Sequence, residues 1–204
     1  MARRTAAALL RWSADGELPV VIDASSCAHG LVSELGDALD HDARGRFQRV
    51  RVIDSTAWAH DHLLPALEVT GQAGSVAVHP SCSAGHLGVQ AKLERVLGAL
   101  ADDVVVPPGA GCCGMAGDRG LLHPELPASA LREEAASLDG REFDEHVCSN
   151  RTCEIGLQEI TGRPYSSFVF LLERLTRPWE GAGPPRPQSP GDLAHARSPH
   201  HGSH

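Results

Sequence analysis

The sequence predicts an α/β fold, a mainly parallel sheet flanked by helices, and three observations carry that prediction. Short, almost continuously apolar runs recur along the chain, which is how strands buried on both faces read. Helical patterns separate them, giving the order βαβα that a parallel sheet needs. A chain of 204 residues with 42% hydrophobic content is long enough to bury a core of one sizeable domain or two small ones.

Taken in order, residues 19–23, 50–54, 75–79, 103–106 and 145–148 read as strands. Helical spacing is found over 31–39, 58–67, 86–100, 128–138, 154–160 and 167–175. Residues 1–177 are expected to form the folded part. From Pro178 onward proline, glycine, serine and histidine leave nothing to bury, so 178–204 reads as a disordered tail. His195, His200, His201 and His204 lie in it as polar residues of a mobile segment.

The chain carries 18 basic and 26 acidic residues, a net charge of -8, with the basic residues scattered singly. A nucleic-acid binder needs a positive stripe to displace counterions from phosphate, and an anionic membrane surface selects the same sign. Neither partner is expected. The best apolar run, 168–172, is far short of the ~20 residues that span a bilayer, so no direct membrane insertion is expected. Met1-Ala-Arg-Arg resembles the charged start of a signal peptide, but the apolar stretch 6–10 is short and Arg11 ends it. The expectation is a cytoplasmic protein, where six cysteines read as metal ligands or redox thiols and not as disulfides.

Three of those cysteines share a pattern: Ser26-Cys27-Ala-His-Gly30, Ser81-Cys82-Ser-Ala-Gly85 and Thr152-Cys153-Glu-Ile-Gly156. Each follows an expected strand, where open α/β sheets bind ligands. The first turn of the following helix favours a thiolate, the form that ligates metal. Ser26, Ser81 or Thr152 suits an N-cap, and the glycine three residues after the cysteine leaves room for a bulky group. A fourth element, Gly109-Ala-Gly-Cys112-Cys113-Gly114-Met-Ala-Gly117-Asp-Arg-Gly120, sets two cysteines on a glycine-rich backbone shaped to wrap a cofactor.

Rival readings of the same residues are weaker. Gly109 to Gly114 also matches a dinucleotide fingerprint, with Glu133 or Glu134 near the place of the ribose-binding acid. Pro107-Pro108 and two further glycines by Gly120 stand where strand and phosphate-binding helix should join. A thiol enzyme, with His79 activating Cys82 or His29 pairing with Cys27, lacks an acid to fix its geometry. His60 and His62 fit a satisfied surface, and Arg132-Glu133-Glu134 a solvated helix face.

Cys82, 29 residues, Cys112-Cys113-Gly114, 33 residues, Cys148, four residues and Cys153 resembles the cysteine-rich CCG domain of heterodisulfide reductase and of the iron–sulfur parts of glycolate oxidase and lactate-utilisation proteins. The stretches from Cys112 to Leu126 and from Ser149 to Gly156 are similar to the C-terminal region of bacterial FAD-linked D-lactate dehydrogenase (cytochrome) type oxidases, a likeness extending over about residues 1–176. The resemblance implies pseudo-duplicated CCG-type halves: a degenerate first half, about 1–72, keeping only Cys27, and a cluster-binding second half, about 73–177. Where a second Cys-Cys-Gly would fall, the chain reads Asp54-Ser-Thr-Ala-Trp-Ala-His60. The family tends to end in Cys-x-x-Cys, and Asn150 takes the place three residues before Cys153.

Carried onto this chain, the resemblance implies Cys82, Cys112, Cys113 and Cys153 as ligands of an iron–sulfur cluster, with Cys148 or Cys27 as an additional ligand. Four thiolates suffice for a 4Fe–4S cubane, and four also suit Zn²⁺. Ser81, Thr152 and the amides near Gly111 and Gly114 are candidates for hydrogen bonds to the cluster. The chain shows neither a flavin domain nor a ferredoxin-type cysteine run, so FAD is expected on a partner oxidase subunit or domain, with a possible ferredoxin-type subunit beside it. The implied role is an electron-transfer module of an FAD-linked 2-hydroxy-acid oxidoreductase, cytoplasmic or held at the inner membrane through partners. The alternative is a structural or regulatory zinc protein.

Overall fold

A computed structural model describes residues 1–178; the expected tail, apart from Pro178, lies outside the described residues. The element order is α1 (Ala2–Trp12), β1 (Val20–Ile22), α2 (Ser25–Ser33), a 3-10 turn (Leu35–Ala38), α3 (His41–Phe47), β2 (Val52–Asp54) and α4 (Ser55–Trp58), which runs into a π-helical turn (Ala59–Leu63). Then come β3 (Ala73–His79), α5 (Cys82–His86), α6 (Gln90–Gly98), β4 (Ala101–Val105), α7 (Arg119–Leu122), α8 (Glu125–Ala130), α9 (Arg132–Leu138), β5 (Glu145–Cys148), α10 (Arg151–Thr161), β6 (Ser166–Ser167) and α11 (Phe168–Thr176).

The strands form two parallel sheets where the sequence suggested one: β1–β2, and a four-stranded sheet in the order β4-β3-β5-β6. Burial on both faces holds for β3 and β5, which sit inside the larger sheet. It fails for β4, an edge strand whose Asp102 and Asp103 face solvent, as edge strands avoid further pairing. Strands β1 and β2 are only partly buried, because a two-stranded sheet has no interior strand.

Alternation along β3 and β5 divides the core in two. Val76, Val78 and Val147 turn to one face, where Leu93, Val96 and Leu97 of α6 and Phe168, Leu171 and Leu172 of α11 cover them. On the other face, Cys148 packs under Leu131 and under Leu157 of α10, with Tyr165 closing the layer. The larger sheet is therefore doubly wound. The chain leaves β3 to one side through α5 and α6 to reach β4, then returns over the other face to place β5 on the far side of β3. The carboxyl ends of β3 and β5 flank the switch point, where such sheets open a crevice. A third apolar cluster, Ala6, Leu9 and Leu10 of α1 against Leu39, Phe47 and Val50, holds the first half together.

Several helix limits differ from expectation. The Ala6 to Leu10 stretch, assigned to no element, is the buried face of α1. Helix α2 begins at Ser25, six residues early, because Ser25 is fixed by the distant Ser149 through its amide (3.2 Å) and its hydroxyl (3.1 Å). The 86–100 stretch breaks at Gly88, whose φ of +68° ends one helix before the next begins. Asp54 caps α4 by accepting from the Thr56 amide at 2.8 Å and so moves its start upstream of Trp58.

Phe168 is fully buried and Phe170, two residues on, is 68% exposed. Phe168→Ala should cost about 3–5 kcal/mol in denaturant unfolding, while Phe170→Ala should stay within about 0.5 kcal/mol of the parent. A comparable loss for both would mean that α11 is not seated on the sheet as described.

Candidate metal centre

Three helix starts meet at one dipeptide, Ser149-Asn150, which links the end of β5 to α10. The Ser25 hydroxyl of α2 donates to Ser149 Oγ at 3.1 Å, and Ser81 Oγ, preceding α5, lies 3.4 Å from the same oxygen. The Ser26 hydroxyl donates to Asn150 Oδ1 at 2.7 Å. The three Ser/Thr-Cys-x-x-Gly motifs, far apart in the chain, thus share one corner of the molecule. Helix α2 also packs on α5, with the His29 and His86 rings 5.2 Å apart. Only Ser81 caps as expected, accepting from the Ala84 amide at 3.2 Å. Ser26 and Thr152 lie inside their helices, where Ala24 and Asn150 hold the N-cap positions.

The six cysteines are free thiols in two groups. Cys113, Cys148 and Cys153 are buried together beneath α10, with Cys113 Sγ 2.7 Å from Cys153 Sγ. Cys27, Cys82 and Cys112 are exposed. The adjacent pair Cys112-Cys113 faces opposite ways, one sulfur out and one in. Of the four expected primary ligands, the buried group contains Cys113 and Cys153. Cys148 joins them, while Cys82 and Cys112 stay outside. Among the described residues no group of three or more His, Cys, Asp or Glu side chains is already arranged to hold a metal ion. Thiolates on one tetrahedral ion with bonds of ~2.3 Å stand about 3.8 Å apart, so the Cys113–Cys153 pair must open to admit one.

Gly114 and Gly156 show how the glycine-rich loop is seated. Gly114 has φ +70°, and a Cβ there would lie 2.7 Å from the Leu126 carbonyl oxygen. A Cβ on Gly156 would meet Met115 Cγ at 2.9 Å. The room expected beside Gly156 is thus filled by Met115, and the loop wraps α10 as well as any cofactor. At Gly30 and Gly85 a Cβ would meet nothing within 4 Å, so these positions do leave open space.

Asn150 ties the sulfurs to the scaffold. Its Nδ2 donates to Cys153 Sγ at 3.3 Å and to Thr152 Oγ1 at 3.1 Å. It stands where the resemblance leads one to look for a cysteine, and it supplies an N–H to sulfur instead. Burial and the neighbouring thiols show in the acidity of these sulfurs. The bond with Cys153 and then burial push the Cys113 thiol far above its usual range. For Cys153 the bond with Cys113 is the largest influence and lowers its pKa, but the neighbouring Cys148 thiol and burial outweigh it and push it up to about 12. Near neutral pH both are thiols, and metal binding must displace their protons.

Beside this group lies a buried polar network that sequence reasoning missed. Glu134, expected on a solvated face, is fully buried and accepts from His79 Nδ1 at 2.7 Å. The Tyr165 hydroxyl approaches the other carboxylate oxygen at 3.5 Å. Burial first, and the Glu134 carboxylate second, hold the Tyr165 phenol above its usual range and hence protonated. The network also answers two rival readings. Glu134 is occupied and cannot meet a ribose, and no helix opens at Gly114, since α7 begins only at Arg119. His79 Nε2 has no hydrogen-bond partner, so His79 does not activate Cys82. His29 stacks on His86, His60 bonds Asp61 and accepts from Arg95, and His62 stacks on Trp58. A cleft of about 560 Å³ lined by Leu31, Phe47, Val50 and Arg44 lies in the first half and holds no sulfur.

Residues 76–158, from within β3 into α10, match the family model CCG, a cysteine-rich domain. The segment is a CCG cysteine-rich domain. Comparison with curated proteins gave no match. The CCG domain spans five of the six cysteines and is compatible with a metal ion or an iron–sulfur cluster. No helix among the described residues is long and apolar enough to cross a membrane.

The raised pKa values of these thiols fix a pH dependence for the metal-free protein. The unfolded chain releases these protons near the ordinary thiol value of 9.0, and the folded chain retains that of Cys153 to about 12. Above pH 9.0 the native state therefore binds more protons than the unfolded one, and stability present below that pH is lost as the pH rises. Denaturation midpoints should fall between about pH 7 and about pH 10, and Cys113→Ala, which leaves a single thiol of the touching pair, should flatten the fall.

Proposed function

We propose that this chain is an iron–sulfur electron-transfer module serving an FAD-linked 2-hydroxy-acid oxidoreductase, with D-lactate or glycolate as the donor class. The observation that carries the reading is the burial of Cys113, Cys148 and Cys153 at the switch point of a doubly wound sheet, with Cys82 beginning the helix after the neighbouring strand. The CCG match over the same residues supports it.

The donor set fits such a group. Sulfur is the ligand of iron–sulfur clusters, and six cysteines exceed the four that a cubane needs. Cys113, Cys153 and Cys148 would hold it from below, and Cys82, Cys112 and Cys27 are the exposed sulfurs at hand for the remaining ligands. When bound, the group would accept and release single electrons. Around it, Met115, Leu131 and Leu157 exclude water, and the Asn150 N–H on Cys153 Sγ stabilises negative charge on sulfur, which raises a reduction potential.

The chemistry at the hydroxy acid belongs on a partner. The hydroxyl-bearing carbon would lose its hydrogen with two electrons, and the hydroxyl its proton, leaving a 2-oxo acid and a flavin reduced by two electrons on an FAD-binding oxidase subunit or domain. This module then takes the electrons one at a time toward quinone or cytochrome, with or without a ferredoxin-type subunit between. That assigns it to the cytoplasm, or to the inner membrane surface through its partners.

Anaerobic purification or reconstitution should give iron and acid-labile sulfide in equal amounts and a visible charge-transfer band. Cys113→Ala and Cys153→Ala should each lower bound iron at least several-fold, while Cys27→Ala should have the smaller effect. Mixed with the flavoprotein, the band should bleach on addition of D-lactate or glycolate. Stoichiometric zinc without sulfide would replace this reading with that of a structural or regulatory zinc protein.

A further inference from the structure

His79 ends β3, pairs in register with Cys148 of β5, and is fully buried. Parallel strands in register turn paired residues to the same face, so the imidazole lies on the sheet face that carries the buried sulfurs. Its Nδ1 faces Glu134 Oε2 at 2.7 Å, and Glu134 is held in turn by the Tyr165 hydroxyl. In the neutral imidazole a carboxylate accepting there puts the proton on Nδ1, and Nε2 is then the nitrogen with a lone pair to give. That lone pair is buried and has no hydrogen-bond partner.

An imidazole fixed through one nitrogen by a buried carboxylate, with the other nitrogen free, is the arrangement by which proteins orient a metal-ligating histidine and raise its basicity. His146 Nε2 is also buried without a partner, but its ring packs on Phe143 and Tyr165, and it is His79 whose other nitrogen is fixed by a buried carboxylate. We propose that His79 is a non-sulfur ligand of the metal centre, bonding through Nε2, with Glu134 and Tyr165 as its positioning residues. The centre would then be held by mixed ligands, with thiolates from the loop and α10 and one imidazole from β3. This rests on the reading of the chain as a metal or iron–sulfur protein.

The test uses the full chain, reconstituted anaerobically with ferrous iron and sulfide after labelling its histidines with ¹⁵N. Pulsed electron paramagnetic resonance of the reduced centre should show the strong coupling of one directly bound nitrogen. For a zinc form, X-ray absorption should show one imidazole among sulfurs. His79→Gln should abolish the nitrogen signal and lower bound metal several-fold, His79→Cys should restore metal without that signal, and the exposed control Phe170→Ala should keep both. Circular dichroism of the metal-free variants checks folding, and the labelled parent protein decides the matter even if a variant fails to fold. A centre in the parent without a bound nitrogen overturns this proposal and leaves the metal reading standing. No centre at all overturns both.

Discussion

The hydrogen bonds that converge on Ser149 and Asn150 are the constraint on which the rest depends. Ser25 and Ser149 are 124 residues apart, as are Ser26 and Asn150, and they close a loop long enough that chain entropy opposes it. Both contacts form because each of three helices begins at the carboxyl end of a parallel strand, where donors and acceptors without intrahelical partners collect. The buried hydroxyl of Ser149 meets serines from two other helix starts, and Asn150 spends its amide on sulfur and hydroxyl partners. Remove that corner and the first half would still have its own apolar cluster, but α2 would no longer stand beside α5.

From that corner follows the chemical character of the sulfur group. Burying three thiols side by side is inexpensive only while they keep their protons, because a thiolate without a cation is poorly tolerated in apolar surroundings. The raised pKa values of Cys113 and Cys153 express this. A divalent metal or a cluster reverses the balance, since it supplies the positive charge that the contacts of these residues lack. The same burial that holds the thiols neutral would then shield the metal–sulfur bonds from water.

The strands were legible because apolar, β-branched runs at the centre of a parallel sheet leave few alternatives; β5 spans the residues expected of it. Helix limits were less so. The start of α2 is set by a partner in the other half of the chain, and no local pattern around Ser25 reveals it. The cysteines could be found one by one, but the split into three buried and three exposed depends on how the loop from Gly109 to Gly120 folds over α10. That in turn depends on Met115 occupying the space beside Gly156. Glu134 was the hardest case. In Arg132-Glu133-Glu134 it reads as one more surface charge, and only the docking of α9 over His79 and Tyr165 makes it a buried acceptor.

In the first half, side-chain oxygens join the strand ends where sulfur does so in the second. At the end of β2, where a second cysteine pair would fall, Asp54 caps the next helix and the Ser55 hydroxyl donates to Asp23 Oδ1 at 3.1 Å. The ends of β1 and β2 are thus bound to each other by a side-chain hydrogen bond. Asp54 Oδ2 and the Thr56 hydroxyl remain buried without partners, which costs more than apolar side chains would at the same places. The first half nevertheless presents Ser25 and Ser26 to Ser149 and Asn150 of the second, and with them the exposed Cys27.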